Sequence, residues 1–274
     1  MVGMISGLGG AVCSVARDAG AHAARGSLGQ YFQKHDSDKS SRHHYERYYD
    51  RWLPPLCAKR QMRMLEIGVE KGKSMNVWQD YFANAQLIAG IGYKNHQRDR
   101  KTVDGVLSLY MGDQSDRKFL RWFVDDTGGT FDLIIDDGSH VPSHQKTSFE
   151  ELWPSVAEGG MYVIEDIETS WWKNTSGIYG YPFKDETSLL EYFQQLPSEI
   201  NREFSRRTPV HPVDIEAIEY GHNIICIRKA LTRNAHLLSQ RYKKSRISRL
   251  KAPDTRNYSS WELMWEAKEV KHGR

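Results

Sequence analysis

The chain has 274 residues, 27% of them charged, and a formal net charge of +3, enough length to bury a full α/β core and too little charge for a protein built wholly around nucleic acid. Cys13, Cys57 and Cys226 are odd in number and widely spaced, which excludes C-x-x-C and metal-finger patterns and points to a reducing, cytoplasmic setting without disulfides. No run reaches the roughly 18 to 20 apolar residues that a membrane span requires.

Residues 1–27 are rich in Gly, Ala and Ser without a firm period and read as a loosely held extension, with no positive start of the kind a signal peptide carries. A helical segment over 28–60 follows. Within it Tyr45, Tyr48, Tyr49 and Trp52 recur at helical spacing, and Pro54-Pro55 ends the helix. Packing against the main domain is the simpler account of that aromatic stripe, whereas the His/Asp/Lys cluster just ahead of it, His35 to Lys39, is harder to explain by packing.

The main domain is expected over 61–230. It opens with a strand, a Gly68 to Gly72 turn and a helix over 75–82. Strands over 87–93 and 106–110 follow at the spacing of βα repeats. Gly112-Asp113-Gln114-Ser115-Asp116 leads into a helix over 117–123 and then a strand over 131–135. Ser143 is expected to cap a helix running to about Val156, with Gly159-Gly160 turning the chain into a strand over 161–164. An amphipathic helix is expected within 183–205, from Leu189, Leu190, Tyr192, Phe193 and Leu196, beside the pocket. Segments 215–220 and 224–228 flank Gly221-His222-Asn223 and read as a closing antiparallel hairpin. Residues 231–274 form a basic extension carrying Arg241, Lys243, Lys244, Arg246, Arg249 and Lys251, with Trp261 and Trp265 after them. A solvated helical face is the commoner meaning of such a run.

Chemistry is concentrated at two strand ends, Asp136-Asp137-Gly138-Ser139-His140 and Glu165-Asp166. Open α/β sheets place ligands at the carboxyl ends of their strands. Carboxylates gathered there repel one another, and a hard divalent cation is the simplest way to neutralise them. His140 beside them is placed to act as a base, with His144 four residues on as the other candidate ring. The glycine turn at Gly68, with Ser74 just ahead of the helix after it, would let backbone approach a ligand closely.

Taken together, Ser37-Asp38-Lys39 with His43-His44-Tyr45, Leu65-Glu66-Ile67-Gly68, Gly112 to Asp116, Asp136 to His140 and Glu165-Asp166 resemble the metal-dependent class I O-methyltransferases that modify macrolide sugars, the mycinamicin and demethylmacrocin enzymes among them. The resemblance runs from about Gly29 to Lys229. It implies a Rossmann-like class I methyltransferase, a doubly wound, mostly parallel sheet with a C-terminal antiparallel hairpin, and a homo-oligomer. It also implies S-adenosylmethionine as cofactor and magnesium or another divalent cation on Asp137, Glu165 and Asp166, with His140 as general base. Glu66 would support the amino-acid end of the cofactor and Asp113 and Gln114 its adenine side, with Gly68, Ser74 and Asp136 also at the cofactor. The acceptor implied is a hydroxyl of a small molecule, a sugar or glycosylated natural product, with a catechol as competitor. Trp171, Trp172, Tyr179 and Tyr181 offer it aromatic surfaces.

One position departs from the pattern. Where these enzymes carry an acid for the ribose hydroxyls, this chain has Gly92, and Asn95 or a water would have to substitute. Loss of such a charged hydrogen bond costs roughly 1.5 to 3 kcal/mol. The competing expectation is therefore a non-catalytic binding protein on the same fold, weakened at Gly92, with the basic tail meeting an anionic partner.

Overall fold

The computed structural model describes residues 27–93, 99–172, 189–200 and 214–231. Expectations for residues 1–26, Asn95, Tyr179, Tyr181 and the basic run with Trp261 and Trp265 lie outside the described residues. Four short helices lead in: α1 (Leu28–Lys34), α2 (Asp38–Ser41), α3 (Glu46–Trp52) and α4 (Pro54–Cys57). The prolines end α3 as expected and also begin α4, because the fixed φ of proline suits the first helical turn.

The domain proper runs β1 (Met62–Ile67), α5 (Lys73–Tyr81), β2 (Ala85–Tyr93), β3 (Asp99–Thr102), β4 (Leu107–Gly112), α6 (Arg117–Thr127), β5 (Phe131–Asp136), α7 (Pro142–Leu152), β6 (Val156–Glu165), α8 (Leu189–Ile200), β7 (Ile215–Gly221) and β8 (Ile224–Lys229). The strands form one sheet in the order β3-β4-β2-β1-β5-β6-β8-β7. β4, β2, β1, β5 and β6 are parallel; β3 at one edge and the β7–β8 hairpin at the other are antiparallel. The doubly wound sheet with its closing hairpin is thus as the sequence implied.

Helices cover both faces. Leu65, Ile67, Ile134, Tyr162 and Ile164 pack with α6, α7 and α8 on one side, and Met64, Ile88, Leu133, Ile135 and Val163 pack with α1, α3 and α5 on the other. Full burial of each such side chain is worth about 1.5 to 3 kcal/mol. Tyr45, Tyr49 and Trp52 are buried in the second core, so the aromatic stripe does pack on the domain. α8 turns Leu189, Tyr192, Phe193 and Leu196 into the first core, so its apolar face is spent on packing.

Three local expectations are corrected. Val141 precedes α7 and Pro142 occupies its first turn, so Ser143 lies inside the helix and caps nothing. α7 stops at Leu152, and a 3-10 turn over Trp153–Ser155 delivers the chain to β6 five residues earlier than the 161 start expected, because Val156 already pairs with Phe131. Gly159 and Gly160 therefore lie within the strand, in the stretch between Val156 and Met161 where its register against β5 shifts. β3, charged throughout at Asp99-Arg100-Lys101, was not anticipated; an edge strand needs no apolar face.

Gly68, at the end of β1, has φ of +101°, and a Cβ there would lie 1.8 Å from the Asp137 carbonyl oxygen. The close approach that glycine permits is thus to the loop after β5 itself. Gly72 has φ of +75° with nothing within 4 Å of its missing Cβ. Gly68→Ala should lower the free energy of unfolding by about 3 kcal/mol or more, from strain and overlap together, whereas Gly72→Ala should cost only about 1 kcal/mol. Urea denaturation of the two variants measures the difference.

Candidate active site

The parallel strands end together on a cleft of 660 Å³ lined by Gly68, Gly92, Asp113, Asp137, His140 and Asp166, among others. At one place on its wall Asp137, His140 and Asp166 each present a ligand atom, and these atoms lie within 4.8 Å of one another. His140 Nε2 is 3.2 Å from Asp137 Oδ1, and its Nδ1 is 3.5 Å from Asp166 Oδ2. Burial works against charge on this ring, but the hydrogen bond and charge of Asp137, with Asp166 and Asp136 nearby, raise its pKa to about 9. His144, the other candidate ring, is turned to Ser139, with Nδ1 3.0 Å from the hydroxyl, and burial lowers its pKa.

Two of these residues sit in strained backbone. His140 has φ of +56° and Asp166 of +54°, the left-handed region that side chains beyond glycine seldom occupy. Their surroundings hold them there. Thr169 Oγ1 donates to the His140 carbonyl, and Tyr45 OH and Asn223 Nδ2 donate to Asp166 Oδ1 at 2.5 and 3.0 Å.

Glu165 lies deeper, 1% exposed, and its two oxygens are taken by Tyr49 OH and by Lys39 Nζ, the latter at 2.6 Å. The same ammonium donates to Asp137 Oδ2 at 2.5 Å and sits 3.4 Å from Glu66 Oε1. Burial opposes the charge on Lys39, yet Asp137, Glu165 and Glu66 together hold its pKa well above the ordinary value. Burial in turn pushes Glu165 and Glu66 up, while Lys39 and His140 outweigh burial at Asp137 and hold it low. Five acids, Glu66, Asp136, Asp137, Glu165 and Asp166, thus gather around Lys39 and His140. That surplus of oxygen donors and negative charge fits a hard divalent cation.

The residues expected at the cofactor divide into two groups. Gly68, Asp113 and Gln114 line the cleft. Glu66, Ser74 and Asp136 do not line it: Ser74 Oγ donates to Glu66 at 2.7 Å, and fully buried Asp136 accepts from Gln114 and Tyr162, its pKa raised to about 6 by burial. Gln114 is a tie between strands, its carbonyl accepting from Ser139 N–H at 2.6 Å while its amide donates to Asp136 and Ser148. A Cβ on Gly138 would lie 1.9 Å from that carbonyl oxygen, which accounts for the glycine in the Asp-Asp-Gly-Ser-His run. Gly92 has a packing reason as well, since a Cβ there would meet Met111 Sδ at 2.9 Å.

A family model described as a methyltransferase domain matches residues 65–167. The resemblance read from the sequence is borne out by its relatives. The chain is 35% identical over 176 residues to the mycinamicin VI 2''-O-methyltransferase of Micromonospora griseorubida, covering 58% of this chain and 42% of that one. It is 29% identical over 211 residues to an 8-demethyl-8-alpha-L-rhamnosyl tetracenomycin-C 2'-O-methyltransferase of Streptomyces olivaceus, covering 72% and 53%. Among solved structures it is similar to a methyltransferase from the mycinamycin biosynthetic pathway in complex with Mg, SAH and mycinamycin VI, with a TM-score of 0.67 and 26% identity over 94% of this chain and 65% of that one. The chain spans about half the length of the curated relatives it matches.

The acid cluster draws on residues to which motif reading gave no role in the site. Lys39 comes from α2, and Tyr45 and Tyr49 come from the aromatic stripe, whose rings pack while their hydroxyls reach Asp166 and Glu165. His43 stacks on Tyr45 with ring centroids 5.1 Å apart and places Nδ1 3.4 Å from Asp166. The signal available was the Lys39 to Tyr45 spacing just ahead of a helix; its target lies more than 90 residues away in sequence. Trp171 and Trp172 are half exposed just beyond Asp166.

Without a divalent cation, the folded His140 pKa of about 9 against an ordinary 6.5 has a fixed sign for stability. The native state binds the extra proton, so this contribution is complete below pH 6.5 and is lost as pH rises through about 9. Urea unfolding in EDTA should show stability falling across that window, and His140→Gln should flatten the fall.

Proposed function

We propose that this chain transfers the methyl group of S-adenosylmethionine to a sugar hydroxyl of a glycosylated natural product, with a divalent cation, magnesium by preference, at Asp137 and Asp166 and with Glu165 beside them. The observation that carries this reading is the convergence of Asp137, His140 and Asp166 on one wall of a 660 Å³ cleft whose lining also includes Gly68, Gly92, Asp113 and Gln114. The relatives support it: they are O-methyltransferases named for glycosylated substrates, and the solved neighbour is a complex with Mg and SAH. A homo-oligomer belongs to the same reading on the strength of the resemblance alone.

The cofactor supplies an activated methyl group, and a cation at the acids would lower the pKa of an adjacent acceptor hydroxyl. With it bound, the acceptor oxygen would take that methyl, a C–O bond forming as the sulfonium C–S bond breaks. His140 takes the hydroxyl proton on a ring nitrogen. Its raised pKa reflects the acids around it, and offsetting their charge returns the ring toward the range in which it accepts a proton near neutral pH. Asp38, Lys39 and His43 line the cleft too, so the segment ahead of the aromatic stripe faces the substrate side. Trp171 and Trp172 offer flat apolar faces for a sugar or an aromatic polyketide beyond Asp166.

S-adenosylmethionine should bind the natural chain in calorimetry despite Gly92, and Gly92→Asp should tighten it, since the group in the way is the flexible end of Met111. With rhamnosylated polyketides and macrolides as acceptors, His140→Ala should lower kcat about 100-fold or more, and chelation should abolish turnover. Protein shown metal-free by elemental analysis and still active at an unchanged rate would contradict the reading. Turnover confined to catechols would replace the sugar as acceptor.

A further inference from the structure

Lys39 stands where the acids are densest. Its ammonium donates to Asp137 Oδ2 at 2.5 Å and to Glu165 Oε2 at 2.6 Å, and only 2% of the residue is exposed. With Tyr49 OH on Oε1, both oxygens of Glu165 are engaged, and the three groups that do converge, Asp137, His140 and Asp166, do so without it. We infer that Lys39 is a tethered cation that holds the Asp137–Glu165 seat and yields it when a divalent cation binds. This inference rests on the metal-dependent reading above.

Like charge drives the exchange. A hard dication reaches carboxylate oxygens at about 2.1 Å, and an ammonium on the same oxygens repels it at close range. Lys39 has somewhere to go. It also lines a second cleft of 350 Å³, whose walls include Asp38, Glu70 and Ser74, and Glu66 Oε1 is already 3.4 Å away. A lysine, with its flexible stem and compact charge, can make that swing where the planar fork of an arginine would not. In the closed position Lys39 keeps the buried acids neutralised and the domain folded without metal. In the open position Glu165 is released to join Asp137 and Asp166.

Calorimetric titration of magnesium chloride into the natural chain and into Lys39→Met tests this. Both should take up magnesium, with Lys39→Met binding about tenfold tighter or more; equal or weaker binding by the variant overturns the exchange while leaving the metal site standing. No uptake by either protein sinks the metal reading itself. Should Lys39→Met lack a cooperative melt, lysine ammonium NMR of the natural chain takes its place. The exchange-protected Lys39 resonance should move on adding magnesium with the midpoint seen by calorimetry, and a resonance unmoved at saturation overturns the proposal.

Discussion

The ion-paired cluster around Lys39 is the constraint from which the rest of the site follows. Bringing Glu66, Asp137 and Glu165 together at the carboxyl end of a buried parallel sheet would cost several kcal/mol per uncompensated charge, and a single ammonium reaches all three. β1 and β6 contribute Glu66 and Glu165, and the loop directly after β5 contributes Asp137, so the electrostatics tie together three strands whose order in the sheet is β1-β5-β6. Sequence neighbours of these acids, Asp136 and Asp166, are held differently, by Gln114 and Tyr162 in one case and by Tyr45 and Asn223 in the other.

The helices ahead of β1 therefore do more than cover one face. α2 supplies Lys39, and the turn into α3 and its first face supply Tyr45 and Tyr49. The apolar bodies of the two tyrosines fill the core between sheet and helices while their hydroxyls add a donor to each of two buried carboxylates, beside Lys39 at Glu165 and Asn223 at Asp166. Positive φ at His140 and Asp166 is the strain this arrangement sustains, and both residues point into the cleft where the proposed chemistry takes place.

Much of this was legible in the sequence, for reasons that differ from residue to residue. Apolar runs such as Leu133-Ile134-Ile135 and Tyr162-Val163-Ile164 announce buried parallel strands, and acids directly after them can only lie at the sheet's carboxyl edge. β3 was invisible because Asp99, Arg100 and Lys101 carry no apolar signal, and the start of β6 was misplaced because Gly159-Gly160 looks like a turn when it sits in a register shift inside a strand. Glu66, Ser74 and Asp136 were legible as polar groups near the site but not as groups that bond to one another or to Gln114 behind its wall. The place of Lys39 was out of reach of local pattern, since its partners stand 98 and 126 positions away.

The account turns on whether the acids on the cleft wall hold a cation beside a bound nucleoside. Anomalous diffraction from crystals grown with manganese and S-adenosylhomocysteine asks this directly. The account predicts one anomalous peak coordinated by oxygens of Asp137 and Asp166, with the nucleoside lying along Gly68, Gly92 and Asp113. A nucleoside bound elsewhere, or a filled cleft with no peak at these acids, would contradict it.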